Sequence, residues 1–149
     1  MPFALEQLTQ GLAIADKLDP ASQSAGTVNS TGIDASKFRR ILYEVQIGNV
    51  TATGTLTLSL QSAAASNFVS PHTITGSALP AQSTSNTRAT LEVMADTIAQ
   101  QNPSDRYVRL VAVVANAAII YGATGWGSEA VEKPASNNNI AAVAAQVSL

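Results

Sequence analysis

Asp105–Arg106–Tyr107–Val108–Arg109–Leu110–Val111–Ala112–Val113–Val114, running on into Ala117–Ala118–Ile119–Ile120–Tyr121, is the most apolar part of the chain. Its valines and isoleucines are β-branched and suit a pleated, buried surface better than a helix. The run is apolar at both parities: Val111 and Val113 point one way, and Leu110, Ala112 and Val114 the other. That pattern predicts a strand covered on both faces, at the centre of the fold. Asn116 tolerates left-handed geometry, so the chain is expected to turn back there into a central antiparallel hairpin.

Outward from this centre, two segments alternate strictly. From Arg39 to Gly48, Ile41, Tyr43, Val45 and Ile47 share one face, opposite Arg40, Leu42, Glu44 and Gln46. From Thr53 to Gln61, Leu56, Leu58 and Leu60 point in while Thr55, Thr57, Ser59 and Gln61 point out. Both are period-two strands, and the short connection over Gly48–Ala52 predicts that they form a hairpin. Thr87–Val93 alternates too, with Ala89, Leu91 and Val93 inward. Pro71–Thr75 starts a weaker strand, Gly26–Ile33 an edge strand, and Asp34–Ala35–Ser36 a turn. Met94–Gln101 fits a short helical turn closed by Asn102–Pro103. Gly122–Ala123–Thr124–Gly125–Trp126–Gly127 is expected to end the packed region.

The total is seven or eight short strands with turn signals between them, which predicts an all-β antiparallel sandwich or jelly roll. The expected organisation is one domain over 1–149: an arm or short helix over 1–23, the sandwich over 24–126 and a C-terminal arm over 127–149. Residues 2–18 fit either of two readings. Leu5, Leu8, Leu12 and Ala15 make one helical stripe, weakened by Gly11 and stopped at Asp19–Pro20. The alternative is an extended arm docking by its leucines. At the other end, an apolar run from Ile140 to Leu149 follows a polar break, which suits a segment that clips onto a neighbour. The candidate interface residues are therefore Phe3, Leu5, Leu8, Leu12, Ile140, Val143, Val147 and Leu149.

Composition narrows the function. Only 12% of residues are charged and the net charge is −2, which argues against a nucleic-acid binder. The chain contains no cysteine, so disulfides and thiolate metal sites are excluded. Met1–Glu6 lacks the pattern of a secretory signal, and the longest apolar run is about half a bilayer span. A soluble protein with no membrane partner is expected. Its neutral surface, rich in hydroxyls and amides, suits packing against many copies of something else.

Catalytic constellations are sparse. His72 is the only histidine and has no partner in sequence, so an ordinary loop histidine is the simpler reading. The ten carboxylates are scattered without calcium-loop spacing or a glycosidase pair, although two could still meet in space. The glycines of 122–127 do not match a dinucleotide fingerprint. Asn29–Ser30–Thr31 and Asn49–Val50–Thr51 match the glycosylation pattern, but no secretory signal accompanies them. Arg39, Arg40, Arg106 and Arg109 could meet acidic groups on a partner, or pair with Glu44, Glu92 or Asp105 within the fold. No catalytic, metal-binding or cofactor-binding residue is assigned, no cofactor is expected, and the protein is read as a non-enzyme.

The order of segments carries a resemblance. Gly32–Ile33–Asp34–Ala35–Ser36–Lys37–Phe38–Arg39–Arg40–Ile41 leads into Tyr43–Glu44–Val45–Gln46–Ile47–Gly48. The Thr-rich strand over Thr53–Gln61 follows, then Leu91–Glu92–Val93, then Asp105–Arg109 with its valine strand and a glycine-bounded last strand. Over residues 24–125 this resembles the small β-sandwich decoration (cement) proteins of tailed bacteriophage capsids. Where many such proteins carry an aspartate-rich loop, this chain has the uncharged Ala63–Phe68. The resemblance implies a jelly-roll subunit, often a homotrimer, made in the host cytoplasm and placed on the outer face of the virion capsid. There it would bridge major capsid protein subunits and stabilise the shell, with no direct nucleic-acid contact. Other readings are a head–tail or tail component, a glycan-binding sandwich stacking sugars on Trp126, Tyr43, Tyr107 or Tyr121, and, least favoured, a hydrolase.

Overall fold

In the computed structural model, which describes residues 7–147, the alternating segments become the inner faces of two antiparallel sheets. After one helical turn, α1 (Leu8–Gly11), the strands are β1 (Leu12–Gln23), β2 (Gly26–Asn29), β3 (Ile33–Asp34), β4 (Phe38–Val50), β5 (Thr55–Ala63), β6 (His72–Thr73) and β7 (Thr87–Met94). Helix α2 (Ala95–Gln101) precedes β8 (Tyr107–Ala115) and β9 (Ile119–Ala130), and a 3-10 turn covers Ala135–Asn138. One sheet runs β1-β9-β4-β7 and the other β2-β8-β5-β6, with the short β3 also paired to β8.

The pairing is nested. β1 pairs β9, β2 pairs β8, β4 pairs β7 and β5 pairs β6, so the chain behaves as one long hairpin rolled into two layers. Contacts of β9 with β4 and of β8 with β5 close each sheet. This is a jelly roll.

Nesting overturns both predicted hairpins. The chain does turn at Asn116, with φ 70, but β8 and β9 then lie in different sheets. β4 and β5 are split in the same way. Alternation states which face of a strand is buried; it does not state which edge pairs. In each case two strands with strongly apolar inner faces lie across the core from one another rather than side by side. The two crossovers are held together by Thr51 N–H donating to Ala118 O at 3.1 Å.

The core contains the residues that the alternation selected. Ile41, Tyr43, Val45 and Ile47 of β4 face Leu56, Leu58 and Leu60 of β5, and Ala89, Leu91 and Val93 of β7 join them. From β8, Val108, Leu110, Ala112 and Val114 are buried; on its outer face Val111 is covered but Val113 is 38% exposed. β8 is thus fully covered on one face only.

The glycine-rich segment, expected to end the packed region, is the middle of β9. Tyr121, Ala123, Gly125 and Gly127 point inward. A Cβ on Gly127 would lie 2.5 Å from the Phe38 ring, and one on Gly125 would lie 2.7 Å from Tyr43 Cε1. The two rings lie against bare backbone, which is why glycine stands there. The sandwich also starts earlier and ends later than 24–126. Leu12–Gln23 is a paired strand on β9, and β9 runs to Ala130. The helical reading of 2–18 fails beyond Gly11, because Ala13 and Asp16 are buried against the other strands.

Candidate interaction surface

The two ends of the described chain, around residues 8–12 and 135–140, come together along the free edge of β1. Leu12 opens the strand half-buried, and Leu8 before it is 82% exposed. At the other end, Ala135 is fully buried and starts the turn that returns the chain to β1. Asn139 and Ile140 then clasp a single residue. Ile14 N–H donates to Asn139 Oδ1 at 2.9 Å, and Ile140 N–H donates to Ile14 O at 2.9 Å. Asn139 Nδ2 donates to Gln146 Oε1 at 2.7 Å, which folds the segment on itself. Ile140 and Val143 are half-buried and Val147 is 79% exposed. Phe3, Leu5 and Leu149 lie outside the described residues.

Two surface depressions flank this edge. One, of about 620 Å³, is lined by Leu8, Leu12 and Val131 with Arg39, Glu129 and Lys133 at its rim; Val131 is 64% exposed. The other, of about 560 Å³, runs between the outer face of the β1–β9–β4 sheet and residues 140–145, past Trp126. The first joins exposed aliphatic surface to charge, a mixture suited to a protein partner.

Most arginines are engaged within the fold. Arg106 forms a two-pronged pair with Asp34, Nε to Oδ1 at 2.9 Å and Nη2 to Oδ2 at 2.7 Å. It selects Asp34 rather than the neighbouring Asp105. Burial alone would raise the Asp34 pKa, but hydrogen bonds from Arg106 and Ser36 outweigh it and hold the carboxyl at about 2. Arg40 meets Glu129 at 3.3 Å and Glu92 at 3.9 Å, and Arg88 meets Glu44 at 2.6 Å. Arg109 donates to Gln61 Oε1 and lies 4.6 Å over the Phe68 ring, a cation–π contact.

Sequence reasoning missed two polar clusters. His72 does have a partner: its Nδ1 lies 2.8 Å from Asp105 Oδ2, which also accepts from Ser62 Oγ at 2.6 Å. Both neighbours bond the same carboxylate oxygen, so the serine is not hydrogen-bonded to the histidine as a base–nucleophile pair requires. The arrangement ties β5, β6 and the start of β8 together.

The second cluster centres on Asp16, which is 2% exposed. Its Oδ2 accepts from Tyr43 Oη at 2.6 Å and Gly32 N–H at 2.9 Å, and its Oδ1 from Lys17 N–H at 2.8 Å. Ser30 Oγ, 3.4 Å from Tyr43 Oη, accepts from Leu110 N–H at 2.9 Å. The cluster thereby joins the two sheets. Burial, then the Asp16 charge and its hydrogen bond, raise the Tyr43 pKa well above 10, with Ser30 pulling weakly the other way. Asp16 turns inward because β1 bulges between Ile14 and Asp16, a break that the even spacing of a helix or strand would not suggest.

The four aromatics offered as a glycan platform do not share a face. Tyr43 and Tyr121 are buried in the core, while Trp126 lies on the outer face of β9. Among the described residues, no group of three or more His, Cys, Asp or Glu could hold a metal ion, and no helix is long and apolar enough to cross a membrane.

No family model matches the chain, and neither does any curated protein. Among solved structures it is similar to that of infectious bursal disease virus, Gt strain, with 11% identity and a TM-score of 0.32. It is also similar to a mutant VP2 protein of the same virus in derived T=1 particles, with 11% identity and a TM-score of 0.30. In both cases 80% of this chain is covered but only 40% of the other, so it spans two fifths of their length. A likeness at that level is too weak to assign a family or a function.

Proposed function

We propose that this protein is a non-enzymatic virion structural protein that decorates the outer surface of a capsid. In this reading it bridges major capsid protein subunits, stabilises the shell, and associates with copies of itself, as a homotrimer. The observation that carries the reading is the jelly-roll strand order, with both ends of the described residues gathered on one sheet edge beside exposed aliphatic side chains. Jelly rolls serve as shell-building modules. Since a fold alone does not fix function, the segment order that resembles phage decoration proteins is the second support. The quoted segments fall on β3 to β5 and β7 to β9.

The physical requirements are modest. A decoration protein needs a rigid body and a docking patch, and repeated attachment to a lattice multiplies weak single contacts. Leu8 and Val131 each offer a mostly exposed aliphatic side chain, worth roughly 1.5–3 kcal/mol if fully buried, before ordering costs.

The test is co-sedimentation with shells stripped of this protein. Leu8→Glu and Val131→Glu leave the core untouched, and each should weaken attachment by about tenfold or more. Unchanged attachment by the double variant would remove this patch from the reading, and failure of the native chain to attach would remove the reading itself.

A further inference from the structure

The segment after Pro134 occupies a groove on its own sheet, and we propose that the same groove accepts this segment from a second copy. Residues from Ala135 to Val147 would then exchange between subunits. The inference goes beyond capsid decoration and does not depend on it, because it concerns only copies of this chain in solution.

The groove is shaped for this sequence. Its wall is the free edge of β1, where Ile14 presents N–H and C=O away from β9 and both are taken by Asn139 and Ile140. The Asn139 side chain acts here as a strand carbonyl, so recognition combines backbone pairing with a specific side chain. Its floor crosses the outer face of the sheet, where Leu18 and Trp126 lie among Lys17, Glu44, Gln46 and Thr124. Ile14 and Leu42 both stand in register with Trp126, and Ile140 and Val143 share the groove with Ile14 and Trp126.

The grip is shallow. About 560 Å³ remains open in the groove, and Ala141, Ala142, Ala144 and Ala145 are exposed. Beyond the buried Ala135 and the clasp at Asn139 and Ile140, the rest of the segment is held by few atoms. The tether is short: Val131 N–H donates to Lys37 O at 2.9 Å, and residues 132–134, exposed at every position, can reach about 10 Å when extended.

Contacts of the 3-10 turn are made with α1, β1 and β9, all within one subunit's rim. A second copy presents the identical rim, so exchange recreates each contact in trans at little energetic cost. Reciprocal exchange gives a dimer, and cyclic exchange a closed ring.

The chain has no cysteine, which allows a clean test. One copy carries Thr124→Cys in the groove, the other Ala144→Cys on the segment; both positions line the groove. The two full-length variants are mixed at high concentration and treated with a short bis-maleimide. Exchange predicts a cross-linked dimer joining the two variants, formed more than the adduct of either variant alone. The double variant provides the reference for cis closure, by linking internally at low concentration. Cross-linking confined to the double variant, with none in the mixture, would overturn the proposal.

As a second readout, light scattering of the full chain should show self-association, and a chain ending at Pro134 should lack it. Persistence of the same oligomer without the segment would also overturn exchange. Failure of exchange leaves capsid attachment untouched, so the two readings fall separately.

Discussion

Replacing Tyr43 with phenylalanine removes one oxygen from the middle of the sandwich, and the consequence can be worked out from the surrounding groups. The tyrosine hydroxyl is the closest donor to Asp16 Oδ2, at 2.6 Å, and the aspartate is almost sealed from water. Gly32 and Lys17 amides remain, so the carboxylate keeps partners but loses its shortest bond. A hydrogen bond to a charged group contributes about 1.5–3 kcal/mol, and no new donor can enter without opening the core. Tyr43→Phe should therefore cost about 2–3 kcal/mol. For a chain of this size that lowers Tm by about 2–4 °C per kcal/mol. Urea unfolding of the native protein, Tyr43→Phe, Asp16→Ala and the double variant forms a cycle, and the coupling should reach about 1.5 kcal/mol or more. A loss below about 0.5 kcal/mol, which is typical of surface changes, or strictly additive variants would refute the account of this cluster. The alkaline limb gives an independent check. The folded-state pKa of Tyr43 is raised, so its neutral hydroxyl contributes stability in full below the unfolded value near 10, and this is lost as pH rises beyond it. Ultraviolet titration should show Tyr43 ionising only as the protein unfolds. Ionisation of all three tyrosines in the folded protein would contradict that.

Gly127→Ala sets a Cβ against the Phe38 ring and should destabilise by about 1–3 kcal/mol. Phe38→Leu in the same chain should recover part of the loss, as measured by denaturant unfolding. Arg106→Ala should lower stability at neutral pH and make it less dependent on acid. The Asp34 pKa is depressed to about 2 from 3.8, so the pair's contribution is complete above pH 4 and lost as pH falls towards 2. With Arg106 half exposed, screening by solvent keeps that contribution small. Native and variant stabilities measured between pH 2 and 6 should converge at the acid end. Removing residues 135–147 and the two after them should shift Trp126 emission to longer wavelength, since the segment shares its groove. An unshifted spectrum would mean that the segment does not cover the indole.

What was legible in the sequence followed from local periodicity. Ile41 to Ile47 and Leu56 to Leu60 alternate so strictly that their inner faces could be named in advance, and all are buried. The turn at Asn116 and the short helix after β7 were legible as well. Strand partners were not, because the partners of β1, β2 and β4 lie far along the chain, and a two-residue period is silent on them. Tight connections suggested hairpins where the chain crosses between sheets. Gly125 and Gly127 resembled a loop because glycine usually marks one; here the Phe38 and Tyr43 rings require the missing side chains. Asp16 was hidden by a bulge. In the candidate surface, the apolar ends were visible as composition, but their meeting at Ile14 depended on the Asn139 side chain, which carries no periodic signal. The His72–Asp105 contact likewise joins loop ends 33 residues apart.

The most direct test of the central claim is quantitative mass spectrometry of purified virions, counting this chain against the major shell protein. Shell-wide decoration predicts the two in comparable copy number, as expected of a protein bound across a repeating lattice. A few copies per particle would move the chain to the tail or to a vertex, and its absence from particles would contradict the virion role altogether.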